Sequence, residues 1–65
     1  PIVRITAIPD YWPDDTVGQV GELVTVDFED PDCPFEVRIG APGATDAELL
    51  WAHAVKPHRV DNDDQ

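Results

Sequence analysis

The chain carries one cysteine, four basic residues and no apolar stretch approaching the ~18 residues of a membrane span. Each scarcity closes off a class of protein. A lone thiol, Cys33, excludes an internal disulfide, and the commonest setting for a small domain without bridges is a reducing cytoplasm. The missing apolar span, together with the lack of a basic-then-apolar leader, points to a soluble domain with no membrane attachment. Four Lys and Arg stand against fourteen Asp and Glu, a net charge of −10. Phosphate backbones are held by Lys and Arg, so direct nucleic-acid binding is disfavoured and a basic partner is favoured. The plainer role of such acidity is solubility.

Catalytic patterns are equally scarce. There is no Ser-His-Asp order and no phosphate-cradling glycine loop. Cys33 sits among acids and prolines, and acidic neighbours raise a thiol pKa when a nucleophile needs it lowered. His53, His58 and Cys33 are ligand types, and Asp27, Glu29, Asp30 and Asp32 offer oxygens. Neither grouping has the paired short spacings of a zinc site or the alternating acids of a calcium loop. No metal, no cofactor and no enzymatic activity are therefore expected, and binding is the expected role.

Sixty-five residues allow one domain, and a chain of that size buries only ~60% of the surface its unfolded form exposes. A single thin core of this kind rarely supplies more than ~3–5 kcal/mol. Residues 2–8 alternate, with Val3, Ile5 and Ala7 on one face and Arg4 and Thr6 on the other, which predicts a half-buried strand. Residues 9–16 hold two prolines and three of the aspartates around Tyr11-Trp12 and read as a long loop. Residues 19–28 alternate again, predicting Val24, Val26 and Phe28 inward and a bulge or bend at Gly21.

The acid- and proline-rich residues 29–34 then turn the chain into a strand over 35–39. A symmetric turn sets Phe35, Val37 and Ile39 opposite Phe28, Val26 and Val24, with Arg38 beside Thr25. Residues 40–46 form a connector. Residues 47–52 fit either a fourth strand or a short helix capped by Thr45 with Glu48, and the need of three strands for partners favours the strand. A last strand over 55–60 breaks at Pro57, and residues 61–65 form an acidic, disordered tail beyond a domain spanning 1–60. Pro1 is compatible with a removed initiator Met or with a cut from a longer protein.

The run Val17-Gly18-Gln19-Val20-Gly21-Glu22-Leu23-Val24-Thr25-Val26 resembles the heart of small bacterial SH3-like barrels of the KOW type, in which a Gly-x-x-Gly segment bends into a long second strand. Leu50-Trp51-Ala52-His53-Ala54-Val55-Lys56-Pro57 is similar to the closing segment of such domains. The resemblance implies an all-β, five-stranded SH3-like barrel with a short 3₁₀ turn before the last strand. The nucleic-acid role of basic KOW domains does not carry over to so acidic a chain. The Ala-Leu-Tyr-Asp-Tyr start of proline-motif SH3 domains is absent as well.

In that barrel the first long loop lies across from the end of strand four. Tyr11, Trp12, Asp14, Asp15, Trp51 and His53 then form one aromatic and acidic surface suited to a protein partner with a basic or extended segment. The bland alternative is that Trp12 and Trp51 plug the ends of a thin core. Further alternatives are an acidic inhibitor or nucleic-acid mimic acting on a basic protein surface, an accessory domain of a larger enzyme, and self-association through an exposed strand edge.

Overall fold

A computed structural model describes residues 1–40 and 45–59. The expected tail over 61–65 and most of the expected connector lie outside the described residues. The architecture is all-β, five antiparallel strands in one sheet: β1 (Ile2–Ala7), β2 (Val20–Val26), β3 (Phe35–Ile39), β4 (Glu48–Ala52) and β5 (Ala54–Pro57). Their order in the sheet is β4-β3-β2-β1-β5. Among the described residues no ladder joins β4 to β5, so the sheet is open. The two edge strands are nevertheless consecutive in sequence. Ala52 pairs with Phe35 on β3, and the next residue, His53, donates its backbone N–H to Ala7 of β1 at 3.0 Å. A single bend residue thus carries the chain from one edge of the sheet to the other.

The alternation of the first strand produces the centre of the core: Val3 and Ile5 are buried, and Ile5 is fully so. Val37, Leu50 and Ala52 complete that buried cluster, with Ile8, Trp12, Leu23, Ile39 and Val55 packed against it. Residues 48–52 form a strand although Ala-Glu-Leu-Leu-Trp has helix propensity, because pairing along the whole of β3 supplies hydrogen bonds and burial that a two-turn helix would lack. Pro57 closes β5 without disrupting a ladder, since β5 is an edge strand and its missing N–H is needed by no neighbour.

The β2–β3 hairpin departs from the symmetric turn. Val26, rather than Phe28, pairs with Phe35, and Leu23, rather than Val26, pairs with Val37. Arg38 stands opposite Glu22, not Thr25. Two causes act together. The register shifts between Leu23 and Thr25, so a bulge at Val24 reverses the parity of the strand and turns Leu23 inward. The loop is also longer than the pattern implies, because Asp27 and Asp30 fold it locally. Asp27 Oδ1 accepts the Glu29 N–H at 3.0 Å, and Asp30 Oδ1 accepts the N–H groups of Asp32 and Cys33 at 3.1 and 3.2 Å. Such aspartate turns compete with ladder hydrogen bonds, and Asp27 N–H closes the loop on Pro34 O at 2.7 Å. Phe28 is left 84% exposed and Val24 half exposed.

The expected 3₁₀ turn before the last strand is not formed: only His53 separates β4 from β5. The 3₁₀ turn of this domain is Asp14–Thr16, in the first long loop. Pro13 sets it up in an extended conformation, and its carbonyl accepts the Thr16 N–H at 2.9 Å. The loop returns to the sheet at Gly18, whose positive φ of 96° points its N–H to Ile5 O at 2.8 Å.

Candidate functional site

Residues 9–19 cross the end of the sheet and leave a cleft of about 420 Å³ between that loop and β4. Its walls are Tyr11, Trp12, Pro13, Asp15, Thr16 and Gln19 from the loop, with Glu48 and Leu50 from β4. The size falls within the ~300–1,000 Å³ range of small-ligand and side-chain pockets. Tyr11 and Trp12 stand with ring centroids 5.7 Å apart and tilted by 49°, an arrangement favoured by aromatic quadrupoles. Trp12 is half-buried and rests on the core, and its indole N–H is buried with no hydrogen-bond partner among the described residues. Tyr11 instead is 74% exposed. Loss of Trp12 therefore acts on the core and on the cleft together, whereas loss of Tyr11 acts on the surface. Asp15 and Glu48 give the cleft carboxylates of one sign, and no Lys or Arg is among the lining residues.

The six residues that the sequence singles out divide between this cleft and its surroundings. Tyr11, Trp12 and Asp15 line it. Asp14 is exposed on the same 3₁₀ turn but is not a lining residue. Trp51 is not a lining residue either. Glu48 and Leu50 face the cleft, and strand alternation turns Trp51 to the other face of β4, where it pairs in register with Glu36. His53 lies beyond the end of β4 against the β2–β3 loop, where it joins a second cluster.

The chain matches no protein-family model, no curated protein and no solved structure.

The second cluster is centred on Cys33, which is 7% exposed. His53 Nδ1 approaches its Sγ at 3.6 Å, and Asp32 Oδ2 lies 3.9 Å from the same sulfur. The His53 Nδ1 also contacts the Asp32 carbonyl oxygen at 2.5 Å and the Asp32 carboxylate at 3.6 Å. Tyr11 interacts electrostatically with the thiol, so this tyrosine borders both clusters. Burial pushes the Cys33 thiol up from its ordinary value, and the negative charges of Asp32 and Asp30 push it further. Partial desolvation of its hydroxyl, then Cys33 and the same acids, raise Tyr11 likewise.

A thiol that is both covered and held protonated is a poor nucleophile. With a chelator present at neutral pH, iodoacetamide is expected to alkylate Cys33 roughly tenfold or more slowly in the folded domain than in urea. Equal rates in the two states would remove the covered, protonated thiol from the description.

Sequence reasoning did not reach Glu48 and Leu50 as cleft residues, nor Asp32 and Cys33 as neighbours of His53. Leu49-Leu50-Trp51 is uniformly apolar, so it carries no alternation to say which side chain faces the loop. The approach of Cys33 to His53, twenty positions apart in sequence, depends on the length of the β2–β3 loop.

Proposed function

We propose that this domain is a cytoplasmic protein–protein interaction module, built as an SH3-like barrel, that holds a basic and extended segment of a partner chain in the cleft between the first loop and β4. The strand order β4-β3-β2-β1-β5 and the passage of the chain from one sheet edge to the other at His53 support the barrel reading. One observation carries the binding reading: two aromatic rings and the carboxylates of Asp15 and Glu48 line a single cleft that has no basic residue among its walls. Apolar side chains of an extended segment lie on the rings, and an Arg or Lys is drawn to their faces and to the two acids. Among the described residues no helix is long and apolar enough to cross a membrane.

The test is a fluorescence titration, at low and high salt, with an extended peptide in which arginine alternates with leucine. Tyr11→Ala and Asp15→Lys are each expected to weaken binding ~10-fold or more, as loss of a central contact does. Asp14→Lys, a charge reversal beside the cleft but outside its walls, is expected to change it less than ~3-fold. All three side chains are exposed, so the thermal midpoint serves as the control for folding and should stay within a few degrees.

The net charge of −10 favours a second reading, an acidic inhibitor or nucleic-acid mimic that meets a basic surface by charge alone. That reading expects equal losses from Asp14→Lys and Asp15→Lys, no loss from Tyr11→Ala, and affinity that falls steeply with salt.

A further inference from the structure

Asp32, Cys33 and His53 bring a carboxylate oxygen, a thiol sulfur and an imidazole nitrogen within 4.8 Å of one another. The separations are 3.6 Å from Sγ to Nδ1, 3.9 Å from Sγ to Oδ2 and 3.6 Å from Nδ1 to Oδ1. A tetrahedral zinc ion holds sulfur at ~2.3 Å and nitrogen or oxygen at ~2.0 Å, which sets S···N and S···O pairs ~3.5 Å apart and N···O pairs ~3.3 Å apart. The two oxygen distances are to different oxygens of the one carboxylate, and with a single oxygen per ligand the three donor atoms lie within 4.8 Å of one another, a wider triangle than a bound ion needs. Closing it requires the exposed Asp32 carboxylate to turn so that one oxygen faces both the thiol and the imidazole.

We infer that Asp32, Cys33 and His53 form a three-ligand site for zinc, with the fourth position open to water. This goes beyond the cleft and does not depend on what the cleft binds. The donor set selects the metal: thiolate and imidazole together suit zinc, whereas calcium and magnesium take oxygen ligands. Three protein ligands and one open position are the composition of accessible zinc sites, as opposed to the closed four-ligand structural kind.

The fold supplies the rigidity that the site requires. Cys33 is held from behind by Asp30, whose Oδ1 accepts the N–H groups of Asp32 and Cys33, and His53 is fixed by its own N–H bond to Ala7 of β1. Two ligands come from the β2–β3 loop and the third from the β4–β5 junction, brought together at the end of the β3–β4 ladder, where Phe35 pairs with Ala52. Outside the triad, Tyr11 and the Asp30 carboxylate also act on the thiol, and neither is cationic. The proton balance is simple. The thiol gives its proton to solvent, and in the neutral imidazole the proton moves from Nδ1, where it faces the Asp32 carbonyl, to Nε2. Thiolate and carboxylate then neutralise the two charges of the ion.

The test uses the whole chain, freed of metal, and zinc or cobalt alone. Zinc competition against a chromophoric chelator is expected to show one equivalent bound. Cobalt is expected to give a thiolate-to-cobalt charge-transfer band in the near ultraviolet together with intense tetrahedral visible bands. Cys33→Ser should abolish the charge-transfer band, and His53→Gln should lower zinc affinity by at least the ~10–100-fold that even outer-shell changes cost.

Because Cys33 is buried, its variant is read only where circular dichroism shows the native sheet. His53→Gln, at a partly exposed position, carries the test otherwise. Zinc should also protect the wild-type thiol from alkylation, and a chelator should restore its reactivity. Absence of an equivalent of bound zinc, a cobalt spectrum without charge transfer, or unchanged affinity in folded His53→Gln overturns the site. Asp15→Lys is expected to leave zinc affinity within ~3-fold, which separates this outcome from failure of the cleft.

Discussion

Ile5→Ala is expected to leave most of the chain unfolded at 25 °C, read as loss of the β-sheet circular dichroism signal without denaturant. Ile5 has no exposed surface and sits on β1, the strand that pairs with both β2 and β5. Its N–H donates to Gln19 O at 3.0 Å and its carbonyl accepts from Gly18, so the return of the first loop is anchored on it. Removing a buried isoleucine to the β-carbon costs ~2–5 kcal/mol through lost transfer energy and the cavity left behind. A domain of this length is stable by only ~3–10 kcal/mol, and a thin core places it toward the lower end.

The matched control is Val24→Ala. Val24 is half exposed at the bulge, and its truncation is expected to cost under ~1 kcal/mol. The comparison decides the register as well as the core. In the symmetric hairpin Val24 faces inward opposite Ile39, and its loss would approach that of Ile5. Similar urea midpoints for the two variants would therefore overturn the bulge.

The pair also shows what the sequence can and cannot convey. Val3, Arg4, Ile5 and Thr6 alternate strictly in polarity, so one strand face was legible from the residues alone, and the strand at 35–39 was legible for the same reason. The hairpin register was not. Leu23, Val24 and Val26 are all apolar, and shifting a strand by one residue exchanges its faces without changing its composition. What fixes the choice is the pair of aspartate turns at Asp27 and Asp30, which consume residues that the alternation assigns to the strand.

The cleft follows the same logic. Tyr11, Trp12 and Asp15 were legible because a loop with two prolines must run over the surface with its aromatics. Its far wall was not, because the choice between Leu50 and Trp51 is again a choice of parity. The Cys33–His53 contact depends on loop length and strand order together, and neither is a local property of the chain.

Gly21→Ala is expected to destabilise the domain by ~3 kcal/mol or more, a fall of ~10–20 °C in thermal midpoint for a domain of this size. The cause is contact, not backbone conformation. A β-carbon at position 21 would lie 2.5 Å from the carbonyl oxygen of Arg38 and 2.8 Å from Val37 Cγ1. Val37 can yield only by disturbing the buried cluster, and the Arg38 carbonyl belongs to β3, which is held between β2 and β4.

Gly18 provides the contrast. Its φ of 96° strains any L side chain, yet nothing lies within 4 Å of the added carbon. Gly18→Ala is expected to cost ~1–2 kcal/mol, the strain alone. A double-mutant cycle then separates the two contacts at Gly21. If the Arg38 carbonyl dominates, Val37→Ala restores little of what Gly21→Ala removes, and the coupling stays within ~0.5 kcal/mol. A coupling that recovers most of the loss would place the conflict on the Val37 side chain. In that case the close approach of β2 to β3 at Gly21 would be a matter of core packing, with the two backbones free to separate.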